Sequence, residues 1–125
     1  MSALVFVGVC LAGGVGAALR FTVDDLIRRR LRASFPFGTS IINVTGSLIL
    51  GFITGLTVDA ASAPAWALIL GTGMMGGYTT FSTASVETMR LVQERDYTLA
   101  LTNGFAVLVA TVVCGLGGFW IGSAL

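Results

Sequence analysis

The side chains best able to touch an ion lie inside apolar runs. Asn43 sits in the middle of GTSIINVTGSLILG (38–51). Its carboxamide offers two N–H donors and one acceptor. Left unpaired in hydrocarbon, such a group costs roughly 2–7 kcal/mol. Two readings follow: a hydrogen bond to a neighbouring helix, or an N–H donated to an anion in a pore. The segment GTGMMGGYTTFSTASVE (71–87) combines four glycines with a cluster of Ser, Thr and Tyr hydroxyls. Gly76 and Gly77, followed by Tyr78, Thr79 and Thr80, are poor material for a continuous helix. A break at that point would free backbone carbonyls, which suit cations. The other reading is a glycine-lined packing surface with hydroxyls bonded back to their own helix.

Two charges flank these segments. Arg20 closes the first apolar run and Glu87 closes the third. Each reads as an interfacial charge, and together they read as an ion pair or the rim of a vestibule. There is no His, so the commonest metal ligand and the usual proton shuttle are both missing. Cys10 and Cys114 stand alone in apolar stretches, with no CxxC or metal spacing, and read as small packing residues. No constellation of nucleophile, acid and base is visible, and no enzyme activity is expected.

The elements that carry these residues follow from composition. Apolar residues make up 55% of the 125 and charged residues only 10%, against about 25% in a typical soluble domain. Mean hydropathy is +0.93. Four stretches lack Arg, Asp and Glu: 1–19, 33–58, 60–86 and 97–125. A helix needs about 20 residues to cross a ~30 Å hydrocarbon core. The runs do not alternate as barrel strands do. The expected fold is therefore all-α: one transmembrane domain, 1–125, with four helices near 3–30, 38–58, 64–92 and 97–124. The third is broken near 76–80. The first run lacks a basic leader and a small-residue cleavage site before Arg20, so a span is expected rather than a signal peptide. Gly13, Gly14, Gly16 and Ala17, Gly51 and Gly55, and Gly118 and Gly122 lie at small-residue spacings that let membrane helices approach closely.

Arginine placement sets an orientation. All seven basic residues are Arg. Arg28, Arg29, Arg30 and Arg32 occupy the first connection, and Arg90 and Arg95 the third. The termini and the second connection carry none. The positive-inside rule then puts connections 1 and 3 in the cytoplasm and both termini outside.

GGVGAALR (13–20), PFGTSIINVTGSLILG (36–51) and GGYTTFSTASVE (76–87) resemble the signature segments of the Fluc/CrcB fluoride channels, in order and spacing, over essentially the whole chain. The resemblance implies passive export of fluoride across a bacterial cell membrane. It implies an antiparallel dimer in the lipid bilayer, each pore using groups from both subunits, and no nucleic-acid partner. It implies a central Na⁺ held by the backbone carbonyls of Gly76 and Thr79. It assigns Asn43, Phe81, Ser82, Thr83, Asn103 and Thr111 to the anion path, and Arg20 and Glu87 to other functional positions. Such donors and aromatic edges can replace the water around a small anion.

The chain departs from that pattern at Ala84, where a second phenylalanine is usual, and at Val107 and Gly115 on the polar track of the last helix. Together with the arginine bias, this points to one half of a heterodimeric pair rather than a homodimer. A small four-helix multidrug transporter is the alternative transporter reading, but it needs an embedded carboxylate in the first helix, and none precedes Arg20. A non-transporting membrane scaffold is the other alternative.

Overall fold

In the computed structural model, which describes residues 1–125, the first helix starts where Ser2 accepts the Val5 N–H at 3.3 Å. This helix, α1, runs Ala3–Arg30 and ends on Arg28, Arg29 and Arg30. Cations there complement the partial negative charge of the last turn. Pro36 precedes α2, Phe37–Leu56. Pro64 precedes α3, residues 65–78, of which Leu68–Met75 are wound as π-helical turns. The helix α4 spans Ser82–Gln93. Asp96 then accepts the Leu99 N–H at 3.3 Å and starts α5, Tyr97–Ser123, which has a second π-helical stretch at Thr102–Ala106.

Three of these helices are long and apolar enough to cross a membrane: α1, α2 and α5, with mean hydropathies of 2.0, 1.6 and 2.1. The segments α3 and α4 form the interrupted crossing between α2 and α5. Only 18 of 125 residues are buried. Leu and Phe face outward on every long helix, which in lipid is their favourable surroundings.

The interruption falls at Thr79–Phe81, later than the glycines that signalled it. Gly76 and Gly77 remain helical, so within the stretch 76–80 the break falls on Thr79 and Thr80 rather than on the glycines. For Gly77 a neighbour gives the reason. A Cβ on Gly77 would run into the Gly13 carbonyl of α1, and one on Gly16 would run into Met74 and Tyr78 of α3. These glycines bring two backbones together, a use that favours a helical glycine. The same device joins α2 to α5. There Gly51 and Gly55 abut Gly115 and Phe119, and Gly118 and Gly122 abut Leu48 and Phe52.

The contacts also give direction. Along α1, Gly8 meets Ile69, Gly13 meets Gly77 and Arg28 meets Glu87, so the interrupted crossing runs parallel to α1. Likewise α2 and α5 ascend together. Thr39–Glu87, Asn43–Thr80 and Thr45–Tyr78 run oppositely, so α2 is antiparallel to α3 and α4. The result is up-down-up-down, with connections 1 and 3 at one end and both termini at the other.

Candidate functional site at the helix break

The three residues of the break lie outside helix, and Asn43 supplies both partners of the middle one, Thr80. Its Nδ2 donates to the Thr80 carbonyl at 2.8 Å, and its Oδ1 accepts the Thr80 N–H at 2.8 Å. Of the two readings of Asn43, the structure therefore displays the interhelical bond, in a bidentate form directed at backbone. One Nδ2 proton is spent on it, leaving the second N–H for another acceptor.

Thr80 passes this support onward. Its hydroxyl accepts the Thr83 N–H at 3.3 Å and donates to Thr83 Oγ1 at 3.1 Å, so it caps the start of α4. Ser82 Oγ lies 3.4 Å from the same hydroxyl. On the other side of the break, Thr79 donates both its N–H and its hydroxyl to the Met75 carbonyl, at 3.0 and 2.9 Å. Tyr78 and Thr45 hydroxyls meet at 3.2 Å.

The break leaves several carbonyls over, that of Gly77 among them because the Phe81 N–H makes no backbone bond. The Thr80 N–H that a continuing helix would give to Gly76 goes to Asn43 instead. The Thr83 N–H that would reach Thr79 goes to the Thr80 hydroxyl. The Gly76 and Thr79 carbonyls thus lose their i+4 amides, and the space around the Gly76 Cα is open. Unpartnered carbonyl oxygens are hard ligands of the kind an alkali cation takes.

A groove of about 670 Å³ runs beside the break, lined by α2, α4 and α5. Asn43, Phe81, Asn103 and Thr111 all border it, as do Gly76 and Thr79. Ser82 and Thr83 do not; Thr80 does, and so do three hydroxyls not expected there, Ser47, Ser85 and Thr88. Ser47 was missed although a signal existed, since Thr39, Asn43 and Ser47 recur every four residues on one face of α2. Phe81 projects from the break with 84% of its surface exposed. Asn103 is only 5% exposed, and its Nδ2 donates to Thr88 Oγ1 at 2.8 Å and to the Ala84 carbonyl at 3.3 Å. Both of its N–H groups are therefore spent on α4. Thr111 bonds back to the Leu108 carbonyl at 2.6 Å. Ala84 and Val107 face the groove as apolar groups. Gly115 does not border it, because it lies against Gly51 and Ser47 of α2.

The charged residues arrange themselves differently from the sequence expectation. Glu87 is 7% exposed and does not pair with Arg20. Its Oε1 accepts the Thr39 hydroxyl at 2.9 Å and Arg28 Nη2 at 3.4 Å. Arg28 was hidden in a run of four similar arginines, and reaches Glu87 because it ends the long α1. Arg20 lies with its guanidinium 5.2 Å from the Phe21 ring centre.

Comparison with known proteins agrees with this architecture. The family described as "CrcB-like protein, Camphor Resistance (CrcB)" matches residues 7–123. A "Fluoride-specific ion channel FluC 1" of Leifsonia xyli subsp. xyli is 47% identical over 122 residues, covering 98% of this chain and 89% of that protein. A "Fluoride-specific ion channel FluC 2" of Mycobacterium tuberculosis (strain ATCC 25618 / H37Rv) is 42% identical over 121 residues, covering 97% and 93%. A "Fluoride-specific ion channel FluC 1" of Listeria monocytogenes serotype 4b is 42% identical over 120 residues, covering 96% and 95%. With a family match over nearly its whole length and relatives at this identity, the chain belongs to the CrcB family of membrane proteins.

Proposed function

We propose that this chain is a subunit of a fluoride-selective channel that lets F⁻ leave a bacterial cytoplasm across the cell membrane. The observation that carries the reading is the groove beside the break, where a membrane-depth amide, Asn43, meets hydroxyl groups and an exposed aromatic ring. Fluoride is small and strongly hydrated. A pore must replace its water with donors, without holding it too tightly to leave. The second Nδ2 proton of Asn43 and the hydroxyl of Ser47, both bordering the groove, are donors of that kind, with the hydroxyls of Ser82 and Thr83 beside the break and that of Thr111 bonded back to its own helix. The Phe81 ring edge carries partial positive charge and suits an anion. Asn103 braces the groove wall through Thr88 and Ala84. An inside-negative potential drives the anion outward at about 2.3 kcal/mol per 100 mV, so no fuel is required.

The pore is completed by a second, antiparallel subunit covering the exposed Phe81 and the open Gly76. The carbonyls of Gly76 and Thr79, freed of their amides, are the groups that would hold a Na⁺ between the two subunits. Arg20 and Glu87 would lie toward the ends of the path. Six arginines at one end of the chain and none at the other favour a single orientation, with connections 1 and 3 cytoplasmic. A homodimer of opposed subunits needs both orientations. With Ala84 and Val107 apolar in the groove, the favoured assembly is a pair with a homologous subunit of opposite bias, sharing one intact pore.

The test is fluoride efflux from liposomes, read by a fluoride electrode, with chloride as control. Fluoride-selective efflux is expected once an oppositely biased family member is co-expressed. Equal chloride efflux, or no fluoride efflux with or without a partner, overturns the channel reading. Robust efflux from this chain alone overturns the heterodimer.

A further inference from the structure

At the end of the molecule carrying connections 1 and 3, one arginine serves two carboxylates. Arg28 Nε lies 2.9 Å from Asp24 Oδ2, and its Nη2 lies 3.4 Å from Glu87 Oε1. The second oxygen of each acid, Asp24 Oδ1 and Glu87 Oε2, is buried without a hydrogen-bond partner. Asp24 Oδ1 lies against Gly38 in the first turn of α2, where the helix dipole favours an anion. The cluster borders a cavity of about 590 Å³ whose remaining charges are Arg32, Arg90 and Glu94. These three make no ion pair within 4.0 Å, which leaves Arg28 as the cation that holds the buried pair.

Helix α4 stands between that cavity and the groove. Glu87 lines the one, and its neighbour Thr88 lines the other. An uncompensated carboxylate at this position would repel an anion passing Thr88, with little water to screen it. We propose that Arg28 is a positioning and charge-compensating residue of the channel. It holds the Glu87 carboxylate against Thr39 and offsets part of the negative charge there, so that fluoride at the connection-1 end of the groove passes a less negative wall. This rests on the fluoride-channel reading. It assigns a role to Arg28 that differs from that of the other first-connection arginines: Arg29 pairs with Asp25 in exposed surroundings, and Arg30 and Arg32 make no ion pair.

The test compares fluoride efflux of the reconstituted channel, in whichever assembly conducts, for wild type, R28Q, R28K, R30Q and the double variant R28Q/E87Q. R28Q is expected to slow efflux about tenfold, and the loss should deepen at low ionic strength. R28K retains most of the rate, and R30Q retains all of it. Removing the orphaned charge in R28Q/E87Q recovers most of what R28Q loses. Wild-type rates in R28Q overturn the proposal. So does a double variant as slow as R28Q, because a purely structural role is not repaired by deleting the second partner. Thermal unfolding of the same variants in detergent reads the pairing without fluoride: R28Q should lower Tm, and R28Q/E87Q should lower it less. Additive losses of Tm overturn the proposal even if no assembly conducts, whereas absent wild-type flux with non-additive Tm values overturns only the channel reading.

Discussion

The Asn43 carboxamide and the Thr80 peptide are paired face to face: Nδ2 donates to the Thr80 carbonyl and Oδ1 accepts the Thr80 N–H, both at 2.8 Å. The helix break is thereby held from α2, and both backbone groups of Thr80 are satisfied by a single side chain. Replacing Asn43 by Ala leaves a buried donor and acceptor without partners. At about 1–3 kcal/mol for each such group, the loss is about 2–6 kcal/mol. Asn43→Asp keeps the bond from the Thr80 N–H but sets a carboxylate against the Thr80 carbonyl. Thermal unfolding in detergent should show both variants well below wild type, and fluoride efflux should fall more than tenfold in both.

How the break is held explains what was legible beforehand. The crossings could be read from charge-free runs, because lipid exposure requires them. The position of the break could not be read as closely. Gly76 and Gly77 looked like breakers, yet both stay helical, the missing side chain of Gly77 serves the approach to Gly13, and the helix ends only at Thr79. The weight of Asn43 was visible in its isolation. Its partner was not, because that partner is backbone 37 residues away. Arg28 was indistinguishable from Arg29 and Arg30 in sequence, and only the course of α1 selects it. Thr88 had no signal until Asn103 was seen to bond to it.

The glycines divide into two groups, and substitution should separate them. A Cβ on Gly77 meets backbone of α1, whereas one on Gly14 meets nothing within 4 Å. Gly77→Ala must push α3 away from α1, and a loss of about 2–3 kcal/mol is expected for overpacking of this kind. Gly14→Ala should be neutral or stabilise by about 0.5–1 kcal/mol through helix propensity. Melting temperatures of the two purified variants check the contrast.

Asn103 and Thr88 act as one unit across α5 and α4, bonded at 2.8 Å. Asn103→Leu and Thr88→Val should each destabilise the protein, and their combination should cost less than the sum. A coupling of about 1 kcal/mol is expected for neighbours sharing a hydrogen bond. A double-mutant cycle on thermal stability measures it directly.

Arg95 is the only non-glycine residue with positive φ, at 59°. It follows α4, where the Asp96 N–H closes back onto the Leu91 carbonyl at 3.0 Å. Glycine is the usual residue in this left-handed position. Arg95→Gly should therefore raise stability by about 1 kcal/mol, visible as a higher Tm, while leaving fluoride efflux at its wild-type rate.

The central claim is that this groove, completed by a partner subunit, passes fluoride and excludes the commoner halide. The most direct measurement is the reversal potential of the current across a bilayer holding the channel, with fluoride on one side and chloride on the other. A current carried by fluoride, reversing far toward the fluoride equilibrium potential, is the predicted result. A reversal near zero, with chloride carrying an equal current, would contradict it.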